Sequence, residues 1–333
     1  MDYIILGAGS IGCYIGGRLA AAGQTVTFIG RPQTLAVLRQ QGLTVSDLDG
    51  YHRHIAAADL RLADALQPAH LTAATIILLC VKGAATTSAA RTLVTLCRAG
   101  TPIISLQNGV DNVERIRRAA PQLSALAGMV PFNVTTLKSG HFHRGTSGAI
   151  YLEDHAVAAA VAHDLERAGV PTAVSRKMAE VQWGKLLLNL NNPVNAVSNL
   201  PLKAQLRNRD YRRVVATLQT EALRALRAAG IRPAKVATAP PWLLPFILQL
   251  PNGLFERIAQ QMLRMDENAR SSMWDDLQRG RTTEVDDLCG AVVRLAHQQG
   301  LAAPANAAMC AIIGAHTAGQ SMTGAELLRA TGT

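Results

Sequence analysis

The chain has 333 residues, 49% of them hydrophobic, which is enough for roughly two domains with separate cores. Its formal net charge is +10, but the cations are dispersed and aromatic residues make up only 4%, so we expect no nucleic-acid-binding surface. The longest apolar runs fall well short of the roughly 18 residues that cross a bilayer, so no membrane association is expected.

The first predicted element is a short apolar strand, residues 3–6, that runs directly into a glycine-rich turn. The turn has Gly-x-Gly-x-x-Gly spacing and consists of Gly7, Ala8, Gly9, Ser10, Ile11 and Gly12. In such a motif the first glycine permits a tight turn, the second allows a pyrophosphate to approach the backbone closely, and the third allows the helix to pack closely on the strand. A helical pattern and a second strand, residues 25–29, complete a βαβ unit. This context favours a dinucleotide site at a helix N-terminus over an ordinary glycine turn.

The end of the second strand discriminates between two nicotinamide cofactors. NAD-binding units place a carboxylate about 20 residues past the glycines, whereas NADP-binding units place a cation there for the 2′-phosphate. Here the strand ends in Ile29, Gly30 and Arg31, without an acid. The guanidinium of Arg31 is able to bind a phosphate with two hydrogen bonds, although a solvated surface arginine is the alternative. We therefore predict NADPH/NADP+ as the cofactor.

Further strands are predicted at residues 75–81, 102–106 and 125–130, with helical patterns between several of them. The alternation predicts an α/β fold that begins with a Rossmann-type, doubly wound sheet. Residues 140–143 and 148–152 are expected to form a hairpin at its edge. From about residue 175 the pattern changes to long amphipathic helices. We predict an NADP-binding Rossmann domain at residues 1–174 and an all-helical substrate and catalytic domain at residues 175–333.

Polar residues follow two of these strands. Lys82 precedes Gly83, and Asn108 precedes Gly109, each just past an apolar run. Ligands of doubly wound sheets bind at the carboxyl ends of strands. Lys82 is therefore a candidate for contact with phosphate or ribose, and Asn108 for contact with the nicotinamide ribose or the substrate. A plain turn is the alternative for Asn108-Gly109, because this dipeptide favours turns.

The helical region contains two further groups of polar residues. Lys185 and Asn189 share one helical face because they are four residues apart, in an otherwise apolar stretch. They suit an acid and a substrate-binding group, although a lysine among leucines also occurs with its charge extended to solvent. Ser272 and Glu284 lie in a segment that reads as a helix, a glycine break and a Thr-capped new helix.

Taken together, these segments resemble the ketopantoate reductases, also called 2-dehydropantoate 2-reductases, over nearly the whole chain. The motifs that carry the resemblance are the glycine-rich turn, Arg31, Val81-Lys82, Gln107-Asn108-Gly109, Trp183-Gly184-Lys185 with Asn189, and Ser271-Ser272-Met273 with Thr283-Glu284. It implies an NADP-dependent oxidoreductase acting on CH–OH, which reduces 2-dehydropantoate to (R)-pantoate on the pathway to pantothenate and coenzyme A.

The resemblance also implies a role for each matching residue. Lys185 donates a proton to the ketone oxygen, Asn189 and Ser272 bind the substrate, and Asn108 and Glu284 lie where cofactor and substrate meet. The proton transfer agrees with general chemistry, because hydride addition to a ketone leaves an alkoxide that a nearby cation stabilises. Desolvation lowers the pKa of such a lysine towards about 7–8, which helps it to donate.

One position departs from the family pattern. A second asparagine commonly follows the lysine by eight residues, but Pro193 stands there, between Asn192 and Asn195. A substrate contact is therefore shifted or replaced, which leaves open reduction of a different 2-keto acid or an imine. A non-catalytic NADPH-binding regulator is an alternative from another functional class.

Other features of the sequence limit the metals, partners and cellular location that we expect. Five scattered cysteines argue against a complete disulfide framework, which fits a cytoplasmic location. His141 and His143 have no third ligand at useful spacing, so no metal site is predicted. Residues 240–255 form a proline-interrupted apolar run that fits core packing, a cleft lining or a subunit interface. The oligomeric state stays open, with a homodimer among the options.

Overall fold

The structure is a computed structural model that describes residues 1–235, 239–260 and 267–333. The chain divides into two compact units, Met1–Met178 and Ala179–Thr333. The first unit combines sheets and helices. The described residues of the second unit form helices and loops without a strand.

The first unit contains twelve strands and five main helices. Its strands are β1 (Asp2–Leu6), β2 (Thr25–Ile29), β3 (Leu43–Asp47), β4 (His52–Ile55), β5 (Arg61–Ala63), β6 (Thr75–Leu79), β7 (Pro102–Ser105), β8 (Ser124–Met129), β9 (Val134–Lys138), β10 (His141–Arg144), β11 (Ile150–Glu153) and β12 (Thr172–Ser175). Its helices are α1 (Ser10–Ala21), α2 (Pro32–Gln41), α3 (Thr86–Leu96), α4 (Asn112–Ala119) and α5 (Ala158–Arg167).

The larger sheet has the strand order β12-β11-β8-β7-β6-β1-β2-β5. Strands β5, β2, β1, β6, β7 and β8 are parallel neighbours, and β11 pairs antiparallel with β8. Starting from β1, the chain adds β2 and β5 on one side of the sheet and then β6, β7 and β8 on the other. The carboxyl ends of β1 and β6 therefore flank the crevice where doubly wound sheets bind ligands. The predicted α/β fold class is confirmed.

The smaller sheet has the order β4-β3-β10-β9 and corrects one prediction. The expected hairpin between residues 140–143 and 148–152 is wrong. Strand β10 pairs with β3 and β9 in the smaller sheet, whereas β11 pairs with β8 and β12 in the larger one. Phe142 of β10 and Ile150 of β11 are both buried. Each strand therefore buries its apolar residue as part of a different sheet.

Helix α1 packs closely against strands of both sheets, β2 of the larger one and β3 of the smaller one. A Cβ at Gly16 would lie 2.5 Å from the Phe28 ring, and a Cβ at Gly17 would lie 2.7 Å from Val45. Arg18, near the end of this helix, is 3% exposed and donates from Nη1 to Asp47 Oδ2 at 2.7 Å. Its Nε donates to the Ala168 carbonyl at 2.8 Å. A buried ion pair thus joins α1 to β3, and a hydrogen bond from the same guanidinium joins α1 to the turn after α5.

The helices of the second unit are arranged around a long central one. In chain order the helices are α6 (Met178–Asn189), which begins at the last residue of the first unit, α7 (Asn191–Ser198), α8 (Leu202–Arg207), α9 (Arg209–Ala228), α10 (Leu244–Gln249), α11 (Asn252–Ile258), α12 (Ser272–Gln278), α13 (Val285–Gln298), α14 (Pro304–Ala315) and α15 (Gly324–Ala330). Helix α9 packs against α10, α13 and α15. Among the described residues no helix is long and apolar enough to span a membrane.

The apolar side chains of residues 240–255 are partly buried and partly exposed. Leu244, Leu248 and Phe255 are buried, whereas Trp242 and Phe246 are more than half exposed, at 63% and 65%. Core packing therefore accounts for part of this segment.

Candidate active site

The glycine-rich turn joins the end of β1 to the start of α1. Gly7 has a φ of +115°, and a Cβ there would lie 2.6 Å from the backbone carbonyl carbon of Cys80. A Cβ at Gly12 would lie 2.2 Å from the Gly7 carbonyl oxygen. At Gly9, in contrast, a Cβ would meet no described heavy atom within 4 Å. Gly7 and Gly12 are therefore required by packing, and Gly9 borders open space.

The backbone amides of this turn divide into two groups. Gly7 and Ala8 donate to the Ile29 carbonyl at 2.9 and 3.0 Å, which ties the turn to β2. The N–H of Cys13 makes the first helical hydrogen bond, to the Gly9 carbonyl at 2.8 Å. The N–H groups of Ser10, Ile11 and Gly12 precede it and have no acceptor within the described part of the chain, as is usual in a first helical turn. With Gly9 beside them, these amides fit an anionic pyrophosphate.

Arg31 follows β2 and is the N-terminal cap residue of α2. Its carbonyl accepts hydrogen bonds from Thr34 and Leu35, which anchors its backbone. The side chain is exposed and forms no hydrogen bond or ion pair with any residue that the structure describes. The guanidinium is thus available to an external anion.

Lys82 and Asn108 lie in loops at the carboxyl ends of the neighbouring strands β6 and β7. Lys82 is exposed, and its carbonyl accepts from the Ala85 N–H at 2.8 Å. Asn108 is half-buried and precedes Gly109, whose φ of +94° forms a turn, so the local structure agrees with the plain-turn interpretation. A turn and a ligand contact are compatible, so Asn108 stays a candidate for binding.

Gln107 was not among the predicted site residues, although it precedes Asn108. Its side chain is 7% exposed, and Nε2 donates to the Val81 carbonyl at 2.8 Å. It therefore links the two loops that carry Lys82 and Asn108. A polar residue directly after a buried apolar strand is the signal that identifies it in the sequence.

In the helical unit, Lys185 and Asn189 both lie in α6 and share one face of it, as their spacing predicts. Both are half-buried. Burial lowers the pKa of Lys185 to about 8, and the negative charge of Glu284 opposes this shift. Glu284 directly precedes α13, and its carbonyl accepts from the Asp287 and Leu288 N–H groups. The structure thus brings Glu284 near Lys185, from a segment about a hundred positions later in the chain.

Ser272 is the first residue of α12 and is exposed. The preceding Ser271 caps this helix through a hydrogen bond from the Trp274 N–H to its Oγ at 3.2 Å. Ser271 also donates its N–H to Asn195 Oδ1 at 2.9 Å and its hydroxyl to the Asn192 carbonyl at 3.3 Å. These bonds fasten the start of α12, and with it Ser272, to α7.

The asparagines after Lys185 have different environments. Asn191 Oδ1 accepts from Gln205 Nε2 at 3.1 Å. Asn195 is 0% exposed and donates to the Leu200 carbonyl at 2.9 Å. Pro193 is buried in the first turn of α7, where a missing N–H costs no helical hydrogen bond. Asn192 is half-buried, and its side-chain amide forms no hydrogen bond with any residue in the described ranges. Of Asn191, Asn192 and Asn195, it is therefore the residue whose side-chain amide is uncommitted among the described residues.

The histidines of β10 belong to a different environment. His141 Nε2 and His143 Nδ1 both contact Ser46 Oγ, at 2.7 and 2.8 Å. Among residues that the structure describes, no group of three or more histidine, cysteine or acidic side chains has an arrangement suited to a metal ion.

Sequence comparison identifies the family to which these features belong. The family model described as ketopantoate reductase PanE/ApbA matches residues 3–157, and the model of the C-terminal part of the same family matches residues 177–317. The chain belongs to the ketopantoate reductase family. It is therefore an oxidoreductase acting on CH–OH groups, in a family of nicotinamide-dependent reductases. The predicted family is confirmed.

Individual relatives cover nearly the full length. The chain is 29% identical over 311 residues to a 2-dehydropantoate 2-reductase of Halobacterium salinarum, covering 91% of this chain and 95% of that one. A solved ketopantoate reductase family structure from Ralstonia eutropha has a TM-score of 0.78 and 29% identity, covering 94% and 97% of the two chains. A D-mandelate dehydrogenase solved with NADH has a TM-score of 0.74, with 95% and 98% of the chains covered, and at 18% identity it shows the fold alone.

Proposed function

We propose that this protein reduces 2-dehydropantoate (ketopantoate) to (R)-pantoate with NADPH, as a cytoplasmic enzyme of pantothenate biosynthesis. The observation that carries the proposal is the environment of Lys185. Its pKa is lowered to about 8, Glu284 lies near it, and Asn189 shares its helical face. The 2-dehydropantoate 2-reductases among the relatives support the choice of substrate.

The glycine-rich turn and Arg31 hold the cofactor in this proposal. The N–H groups of Ser10, Ile11 and Gly12 bind the pyrophosphate, and Gly9 leaves room for it. Arg31 binds the 2′-phosphate, and Lys82 contacts phosphate or ribose. The exposed guanidinium and the absence of an acid from residues 29–33 are the features that support NADPH over NADH.

Lys185 is the proton donor. When bound, the nicotinamide supplies the hydride, and the residues of this chain supply orientation and charge. The ammonium of Lys185 donates a hydrogen bond to the ketone oxygen, stabilises the negative charge that develops there and transfers a proton to it. A pKa of about 8 leaves the group mostly protonated at neutral pH while making it a better donor than an ordinary lysine. Glu284 favours the charged form and contacts the cofactor.

Asn108, Asn189 and Ser272 position the substrate through their polar side chains. Pro193 removes the amide that family members commonly have at this position, and Asn192 is the neighbouring amide whose side chain is uncommitted. We place Asn192 in the role of the missing asparagine. This shift of one residue is also the observation that favours a second candidate substrate, a related 2-keto acid with its polar groups differently spaced.

A homodimer is part of the proposal as the assembly state. A ketopantoate reductase from Staphylococcus aureus with a TM-score of 0.69 is described as dimeric, and its identity of 17% restricts that likeness to the fold. Light scattering of the purified chain distinguishes a dimer from a monomer.

The activity is tested by following loss of NADPH absorbance with ketopantoate and with a panel of other 2-keto acids. Preference for ketopantoate supports the proposed substrate. Turnover of another keto acid alone supports the second candidate substrate over ketopantoate. Binding of NADPH without turnover of any keto acid contradicts the reductase assignment and favours the regulator.

A further inference from the structure

We propose that a buried chain of hydrogen bonds sets the positions of the two loops that carry Lys82 and Asn108, and thereby the affinity for NADPH. The inference rests on the proposed function, because these loops are cofactor contacts only if the cofactor binds as described there. The hydrogen-bond network consists of the side chains of Ser105, Gln107, Thr86 and Asn112 and the carbonyls of Val81 and Asn108.

The direction of every hydrogen bond in this network is determined. Gln107 Nε2 donates to both the Val81 carbonyl and Thr86 Oγ1, each at 2.8 Å. Because the amide nitrogen points that way, Oε1 is left to accept the Ser105 hydroxyl at 2.9 Å. Reversing the amide would place Oε1 against the Val81 carbonyl oxygen, and two acceptors repel. The Val81 carbonyl therefore selects one orientation of Gln107.

The same logic continues through Thr86. Its hydroxyl accepts from Gln107 and donates its single proton to Asn112 Oδ1 at 3.0 Å. The amide nitrogen of Asn112 then donates to the Asn108 carbonyl at 2.7 Å. One consistent set of donors and acceptors thus runs from the loop after β6 to the loop after β7.

Burial makes these bonds difficult to replace. Exposed fractions are 0% for Thr86, 3% for Ser105, 3% for Asn112 and 7% for Gln107. Water does not readily substitute for a lost partner at such positions, so an unmade bond leaves a buried polar group unsatisfied. The network is therefore a stiff connection.

The two ends of the network explain what it positions. The Val81 carbonyl directly precedes Lys82, and the Asn108 carbonyl directly precedes Gly109. Strands β6 and β7 are hydrogen-bonded neighbours in the larger sheet. The network therefore fixes both loops relative to each other at the carboxyl edge of the sheet. Thr86, Gln107 and Asn112 act through Lys82 and Asn108, which makes them positioning residues.

The decisive variant is Thr86→Val, which keeps the side-chain shape and removes one donor and one acceptor from the middle of the network. We expect the Kd for NADPH, measured by isothermal titration calorimetry, to rise about tenfold. Thr86→Ser retains the hydroxyl and should restore an affinity within about twofold of wild type.

Thr172→Val is the matched control. Thr172 is 7% exposed, lies in the same unit on the outer strand β12, and donates to the Val170 carbonyl at 2.9 Å. Its substitution likewise removes one buried hydroxyl, so Tm is expected to fall while the Kd for NADPH stays within about twofold of wild type. Lower Tm together with wild-type affinity in Thr86→Val would overturn the inference, as would an equal loss of affinity in Thr172→Val.

Gln107→Glu covers the case in which Thr86→Val does not fold. It keeps an acceptor for Ser105 and loses the donor to Val81 and Thr86, so the same rise in Kd is expected. Wild-type affinity in this variant would contradict the inference.

Titration of the wild-type chain with NADPH and with NADH separates the two proposals. If neither cofactor binds, the proposed function itself fails. If wild type binds NADPH and Thr86→Val binds it equally well, only the positioning role is wrong.

Discussion

The carboxylate of Glu284 and the ammonium of Lys185 interact electrostatically within the helical unit. Burial alone would disfavour the charge on Lys185, and Glu284 partly restores it. The result is a lysine with a pKa of about 8, which retains a proton at neutral pH and yet releases it more readily than a solvated lysine.

Lys185→Ala should remove the proton donor. We expect kcat to fall about 10²- to 10⁴-fold with ketopantoate, while the Kd for NADPH changes little. Lys203→Ala serves as control, because Lys203 also lies in the helical unit, on α8, and pairs with the exposed Glu267. A Lys185→Ala enzyme with wild-type kcat would contradict the assignment of the donor.

The pH dependence follows from the sign of the pKa shift. The reaction uses the protonated lysine, so kcat/KM should be level below pH 8 and fall as pH rises through about 8. Glu284→Gln removes the negative charge that favours protonation, so the pKa of Lys185 should be lower in this variant and the decline should begin at lower pH. A decline that begins at higher pH in Glu284→Gln would show that the interaction has the opposite effect.

Arg31→Ala should change cofactor preference. Loss of a charged hydrogen-bonding partner of the 2′-phosphate costs about 1.5–3 kcal/mol, so kcat/KM for NADPH should fall roughly 10- to 100-fold. The value for NADH, which lacks this phosphate, should change little. Arg91→Ala removes another exposed arginine of the same unit, on α3, and controls for the general loss of positive charge. An equal decline with both cofactors in Arg31→Ala would argue against the phosphate contact.

Substitution of Asn192 should weaken substrate binding, whereas substitution of Asn195 should lower the stability of the fold. Asn192→Ala is expected to raise KM for the keto acid roughly fivefold, because one neutral hydrogen bond is lost. Asn195→Ala leaves the Ser271 N–H and the Leu200 carbonyl without their partner and should lower the free energy of unfolding by about 1–3 kcal/mol. Steady-state kinetics and urea denaturation of both variants test the distinction, which fails if Asn192→Ala leaves KM unchanged.

Arg18→Met should destabilise the first unit. Arg18 and Asp47 are each 3% exposed at the side chain, and removing the cation leaves the carboxylate with the longer contact to Arg144 at 3.4 Å as its remaining ion pair among the described residues. Breaking a buried pair from one side costs about 3–5 kcal/mol, to be measured by urea denaturation. Arg39→Met removes a pair with Asp64 whose side chains are 47% and 56% exposed, and it should cost at most about 1 kcal/mol. Equal losses in the two variants would refute the argument from burial.

The main sheet was predictable because its central strands are buried on both faces and therefore appear as continuous apolar runs. Strands β4 and β9 were not predicted, since they lie at the edges of the smaller sheet and most of their side chains are exposed. Without a buried face, no alternation of apolar residues marks them. The incorrect hairpin has a different origin, because β10 takes its partner β3 from nearly a hundred positions earlier in the chain, and no local pattern indicates that pairing.

The sequence by itself determined the glycine-rich turn, the cation after β2 and the shared face of Lys185 and Asn189, because each depends on backbone conformation or spacing over a few residues. Tertiary structure alone decided which polar groups act together. The Glu284 charge reaches Lys185, Thr86 meets Gln107 from 21 positions away, and Asn195 rather than Asn192 accepts the Ser271 N–H through its side chain. Burial and hydrogen-bond partners decide these outcomes, and both are set by how distant segments pack.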